Sequence, residues 1–445
     1  MKSLPVIAAS LSGLFAPPPG LHAQETLGIR PAVELRLPAS SPFREFQIES
    51  SADMKTWTGL GPLAAGGGTE LSLFVPVDSA GRFFRATGHE IVNLQPALES
   101  IRAAHGIPAM GCAVVLGGRI AGIGVTGVRK SGVPNSAVTL GDRWHHGSVT
   151  KGMTATLAAI MVQSGEIRWG STLAEVFPAL APGMHAQWRG ATLEQLTSNR
   201  GGAPEDLAPG GIWAQVQAFG GMPRDARRLL LERLAATAPD SPPGTRYEYS
   251  NAGFSLAGHM LEETAGKPWE ELITERLFKP LGMTSAGFGV PATPRSIDEP
   301  WGHRFANGSP SPVESGPAAD NPPAIGPSAT VHCSLPDLAR YVAFHLAGHR
   351  SGTALLDRDA FLKLHTPYPD NADYAHGWSA LDRPWGGGEK VLTHSGSNTL
   401  WLTTVWLAPG RDFGVIPLCN MAGSPNPSAG ANNEAVSRMI KDFLE

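Results

Sequence analysis

The chain is short of the residues that cross-link proteins or chelate metals. Its three cysteines, Cys112, Cys333 and Cys419, stand far apart with no Cys-x-x-Cys pair, so thiolate metal sites and dithiol redox chemistry have no footing. Cys112 and Cys419 fall in apolar, strand-like runs and read as buried thiols; the sequence selects no disulfide pair. There are 14 histidines but no His-Glu-x-x-His, and the adjacent His145 and His146 point to opposite sides of a strand, so no metal is expected. Charge is also scarce, at 17% of residues, with 35 basic against 39 acidic. That balance carries no electrostatic footprint for nucleic acid or a membrane surface. No run approaches the ~18 apolar residues of a transmembrane helix.

What is present suggests a large, loop-rich enzyme in more than one domain, since 445 residues with 53 glycines and 39 prolines exceed what one core usually organises. Lys2, an apolar stretch from Leu4 to Ala16, and Leu21-His22-Ala23 predict a secretory signal over residues 1–23, and hence a periplasmic or secreted protein. Residues 25–88 alternate as strands do, with Phe46 and Ile48 in one run and Leu71, Leu73, Val75 and Val77 in another, predicting a small β module. Its Ser51-x-Asp53-x-x-x-Trp57 stretch and Phe83-Phe84-Arg85 are similar to small β-sandwich modules of exported bacterial proteins, which implies a spacer or adhesive role.

The texture changes in the second domain, residues 91–445. A helical stretch with Leu94, Leu98 and Ile101 precedes a hairpin, Cys112–Leu116 and Ile120–Val125, turning at Gly117-Gly118. Helices are expected over Met153–Ser164, Leu229–Ala236, Ala252–Thr264, Trp269–Leu277 and Leu338–Leu346, the last capped by Ser334. Strands return at Thr399–Leu407 and Phe413–Cys419, before a closing helix, Asn433–Leu444. This order predicts an α/β fold: an antiparallel sheet flanked by N- and C-terminal helices and interrupted by an all-α lobe.

Three segments carry chemistry. In the first, Ser148 and Lys151 sit at i and i+3 where an apolar helix begins, on one face of it. A serine hydroxyl needs a base, and a lysine serves only if burial or a neighbouring cation lowers its pKa. The helix start also aims free N–H groups at a developing oxyanion. In the second, Tyr249-x-Asn251 supplies a phenol that can relay protons and an amide that can hold Lys151 or substrate. Taken alone, this segment would more often be a loop whose Asn251 caps the next helix. The third, His394-Ser395-Gly396-Ser397, precedes a strand-like run; an edge strand there can bind an extended substrate, with Ser397 N–H as a second oxyanion donor.

In this order, the three segments resemble the penicillin-recognising serine hydrolases: class C β-lactamases, serine DD-peptidases and esterases of the same fold. The likeness extends to Thr192-Leu193-Glu194-Gln195-Leu196-Thr197-Ser198-Asn199-Arg200-Gly201-Gly202 and to Leu277-Phe278-Lys279-Pro280-Leu281-Gly282-Met283, and covers roughly residues 93–445. It implies that Ser148 is the nucleophile and Lys151 and Tyr249 handle protons. It further implies that Asn251 orients, that the backbones of Ser148 and Ser397 form the oxyanion hole, and that no metal or organic cofactor is needed.

One position departs from the family. Class C β-lactamases normally begin the third motif with lysine, a permanent cation for the antibiotic's carboxylate. Here His394 stands there, and an ordinary imidazole is only partly charged at neutrality. A histidine in this place is similar to some DD-peptidases and other non-lactamase members, which implies D-amino-acid peptides, cell-wall (peptidoglycan) fragments or small esters as substrates. A class C-type β-lactamase and a penicillin-binding sensor or scaffold without turnover are the alternatives.

Overall fold

Alternation along one strand sets the architecture. In Ala109–Leu116, Met110, Cys112 and Val114 face a core shared with Leu98 and Ile101 of helix Gln95–Ala104 and with Ala431, Ala435 and Met439 of helix Pro427–Leu444. Gly111, between Met110 and Cys112, looks the other way, onto Leu335 of helix Leu335–Ser351. A pleated strand sends neighbouring side chains to opposite faces, so both faces of the sheet are covered by helix.

The computed structural model describes residues 32–38, 44–56, 58–59, 64–65, 70–76, 83–369 and 373–445. The signal segment expected over residues 1–23 lies outside them, as do Trp57 and Val77. The chain divides into two units, Met1–Glu90 and Ile91–Glu445. In the first, Ala32–Pro38 pairs antiparallel with Glu70–Pro76, and Arg44–Ser51 with Phe83–Glu90.

In the second unit, seven strands form one sheet in the order Ser379–Leu381, Val391–Ser397, Leu402–Ala408, Phe413–Cys419, Ala109–Leu116, Arg119–Gly127 and Val92–Asn93. All pairings are antiparallel except the last. Between the hairpin and the later strands lies the helical lobe, including Thr150–Gln163, Pro223–Ala235 and Asn251–Ala265. The α/β fold with a helix-flanked sheet and inserted lobe is thus present.

Several element ends differ from expectation. The helix expected from Leu229 begins at Pro223, because Arg227 on its inner face breaks the apolar pattern while being fully buried. Trp269–Ile273 is α-helical but continues as a π-turn, Thr274–Phe278. The strand expected from Thr399 starts at Leu402, since Thr399 holds φ at +74° in the preceding turn. Ser334 does cap its helix, which starts at Leu335 and runs to Ser351. The last helix starts at Pro427, capped by Asn426. The three cysteines are buried and free. No helix among the described residues is long and apolar enough to cross a membrane.

Candidate active site

Ser148 sits in a 3-10 turn, Gly147–Val149, that runs into helix Thr150–Gln163. Two histidines hold this turn. His145 Nδ1 accepts from Gly147 N–H, which puts its proton on Nε2, 2.9 Å from Asp320 Oδ1. His146 bonds Thr403 Oγ1 through Nδ1 and the Cys333 carbonyl through Nε2. Both rings are fully buried and bonded within the fold, and among the described residues no group of three or more His, Cys, Asp or Glu could hold a metal ion.

The turn lies against strand Val391–Ser397. A Cβ on Gly396 would come 2.0 Å from His146 O and 2.6 Å from Ser148 N, and one on Gly147, at φ +49°, would come 2.3 Å from Ser397 N. Only glycine permits that approach, which brings the backbone of Ser148 beside that of Ser397. The neighbouring strand, Ser379–Leu381, pairs with Val391–Thr393, so among the described residues the edge from His394 to Ser397 has no strand partner on that side.

Lys151 is completely buried. Its Nζ lies 2.6 Å from Asn251 Oδ1, 3.2 Å from the Ser328 carbonyl and 3.1 Å from Ser148 Oγ. Among the described residues no carboxylate joins them, and burial holds the amine well below the ordinary lysine range. A neutral amine has two N–H donors and one lone pair. The two carbonyl oxygens can only accept, so they take the donors, and the lone pair is left for the Ser148 hydroxyl proton.

Tyr249 completes the group. Burial raises the pKa of its hydroxyl, the nearby Ser148 side chain works the other way, and its ring lies 4.7 Å from Lys151 Nζ. Asn251 is free to face Lys151 because Ser250 takes over as helix cap, accepting from Gly253 N–H at 3.1 Å. His394 is buried, with its ring 6.1 Å from that of Tyr249. Ser395 lies further out: it is exposed, and its Oγ meets Thr404 Oγ1 on the next strand at 3.2 Å. The structure therefore gathers Ser148, Lys151, Tyr249 and Asn251 tightly, with Gly396 and Ser397 alongside.

Sequence reasoning missed two contributors. One is the Ser328 carbonyl, a backbone group with no signature. The other is Asn199, whose carbonyl accepts from Glu248 N at 2.8 Å and whose Oδ1 accepts from Ser250 N at 3.1 Å. One residue thus grips the backbone on both sides of Tyr249. Asn199 does so at φ +57°, a conformation asparagine tolerates better than most residues; its place just before Arg200-Gly201-Gly202 was the available signal.

A fully buried lysine beside a half-buried serine and tyrosine, between a helical lobe and the edge of a helix-flanked sheet, fits a class, the serine acyl-transfer hydrolases of penicillin-recognising type. A family model described as Beta-lactamase matches residues 94–437, and the chain belongs to this family. Penicillin-binding protein 4 of Amycolatopsis lactamdurans is 26% identical over 304 residues, 66% of this chain and 76% of that protein. The unguisins hydrolase ungD' of Aspergillus campestris is 25% identical over 336 residues, 72% of this chain but only 60% of that longer protein. Among solved structures, D-alanine carboxypeptidase AmpC from Burkholderia cenocepacia superposes with a TM-score of 0.60 at 21% identity, covering 77% of this chain and 96% of that one. That last likeness is one of fold.

Proposed function

We propose that the protein is an exported hydrolase that forms an acyl-enzyme on Ser148, with D-amino-acid peptides, cell-wall fragments or small esters as substrates. The observation that carries this reading is the environment of Lys151: a fully buried amine, its pKa pushed down by burial, with Nζ on Asn251 Oδ1, the Ser328 carbonyl and Ser148 Oγ. In the reaction, Lys151 Nζ takes the hydroxyl proton as Ser148 Oγ attacks the substrate carbonyl. The oxyanion is held by the N–H groups of Ser148 and Ser397. Tyr249 passes a proton to the leaving group, and water, activated by the same groups, releases the acyl chain.

Support also comes from the names of relatives and structural neighbours, which include a hydrolase, a penicillin-binding protein and a D-alanine carboxypeptidase. The test uses the mature protein and its Ser148→Ala variant with a short-chain nitrophenyl ester, a D-Ala-D-Ala peptide and a chromogenic cephalosporin, with intact-mass detection of adducts. The expected outcome is ester or peptide turnover with an acyl adduct on wild type only. Equal activity in Ser148→Ala would reject the reading. Preferential turnover of the cephalosporin would move the protein to the β-lactamase reading, and a persistent adduct without turnover to the sensor.

A further inference from the structure

We propose that His394 selects substrates as a neutral hydrogen-bond acceptor, so that the cleft takes a carboxamide or another N–H or O–H donor where a carboxylate would otherwise sit. This rests on the Ser148 hydrolase reading and names its substrate class. His394 Nδ1 lies 2.9 Å from the Ser395 carbonyl. A carbonyl oxygen only accepts, so Nδ1 carries the hydrogen and Nε2 presents a lone pair. Among the described residues nothing hydrogen-bonds Nε2, and it is not among the sealed polar atoms of the interior. It is therefore open to a ligand in the cleft.

The groups facing the ring keep it uncharged. Lys151 approaches from helix Thr150–Gln163, and the phenols of Tyr249 and Tyr374 lie with ring centroids 6.1 and 6.3 Å away. Among the described residues no carboxylate is a cause of the shift in the imidazole. Burial pushes its pKa down, against the partial charge expected from an ordinary histidine. A cation in this position would attract a carboxylate. A lone pair repels one and accepts from a neutral donor.

The experiment measures N-acetyl-D-alanyl-D-alanine and its C-terminal carboxamide as competitors of nitrophenyl acetate hydrolysis, in wild type and in His394→Lys. In wild type the carboxamide should compete at least about tenfold more strongly than the acid, with the ratio unchanged between pH 6 and 8. In His394→Lys, the ratio should turn toward the acid. The proposal is overturned if the acid competes as well as the carboxamide, if its affinity rises toward pH 6, or if neither competes while ester hydrolysis is intact. The pH arm needs only wild-type protein, so it decides the matter even where the variant does not fold. Loss of ester hydrolysis and of the Ser148 adduct altogether would instead remove the hydrolase reading beneath it.

Discussion

Among the described residues of the second unit, Lys151 and Arg227 are fully buried cations, and their surroundings are opposite. Arg227 uses all five of its N–H donors. Nε and Nη2 bond the Glu262 carboxylate at 3.0 and 2.7 Å, Nη1 and Nη2 bond Glu270 at 2.9 Å each, and Nη1 also reaches the Pro323 carbonyl. Glu262 in turn receives His259 Nδ1 at 2.6 Å and Trp269 N–H at 3.0 Å. Lys151 meets two carbonyls and a hydroxyl and no counter-charge. Burial with matched charges makes a fixed joint between helices, whereas burial without them lowers the amine's pKa and favours its uncharged form. The same desolvation thus does structural work in one place and chemical work in the other.

The sharpest way to break this comparison is to put a guanidinium in the lysine site. Lys151→Arg cannot shed its proton, so kcat/KM for ester hydrolysis should fall by roughly 10³–10⁴-fold. Near wild-type turnover would mean that Lys151 is not the base.

The converse change strips the paired site of its cation. Arg227→Met leaves Glu262 and Glu270 facing each other without it and should cost about 3–5 kcal/mol by denaturant unfolding, with turnover per folded molecule unchanged. The pH dependence has a defined sign. Hydrogen bonds from His259 and Arg227 overcome the cost of burial and pull the Glu262 carboxyl down to about 2 from its ordinary 4.5. Its contribution is thus complete above about pH 4.5 and is lost as pH falls toward 2. In Arg227→Met, acid unfolding should begin at higher pH; an unchanged acid transition would show that the network adds nothing.

A smaller effect is expected at Asn199, which stabilises neither cation directly but sets Tyr249 over Ser148. Asn199→Ala loses the Oδ1 bond and strains the backbone at positive φ, so kcat should drop about tenfold with KM little changed, while Asn199→Asp, which keeps an acceptor, should recover most of it. Loss of stability without a change in kcat would reduce Asn199 to a scaffold residue.

Much of this was legible beforehand, for reasons that differ by segment. Ser148 and Lys151 could be paired because i and i+3 share a helical face whatever the fold does elsewhere. The strand Phe413–Cys419 was read to its ends because an unbroken apolar run leaves little choice of register. The start at Pro223 was hidden because a buried arginine reads as a surface residue. Asn251 on its own looked like a cap, and only the serine before it, bonded to Gly253 N–H, shows why it is not.

Local chemistry in the chain therefore settles which groups are available: a hydroxyl and an amine on one helical turn, a phenol beside an amide, a glycine in the third motif. Folding settles their state. Lys151 meets Asn251 and Ser328 across 100 and 177 residues, and no local pattern states whether a carboxylate will also arrive there. His394 likewise reads as half-charged from composition. It becomes a neutral acceptor only when the strand edge, Tyr249 and Tyr374 close around it, because protonation depends on solvent excluded by distant parts of the chain.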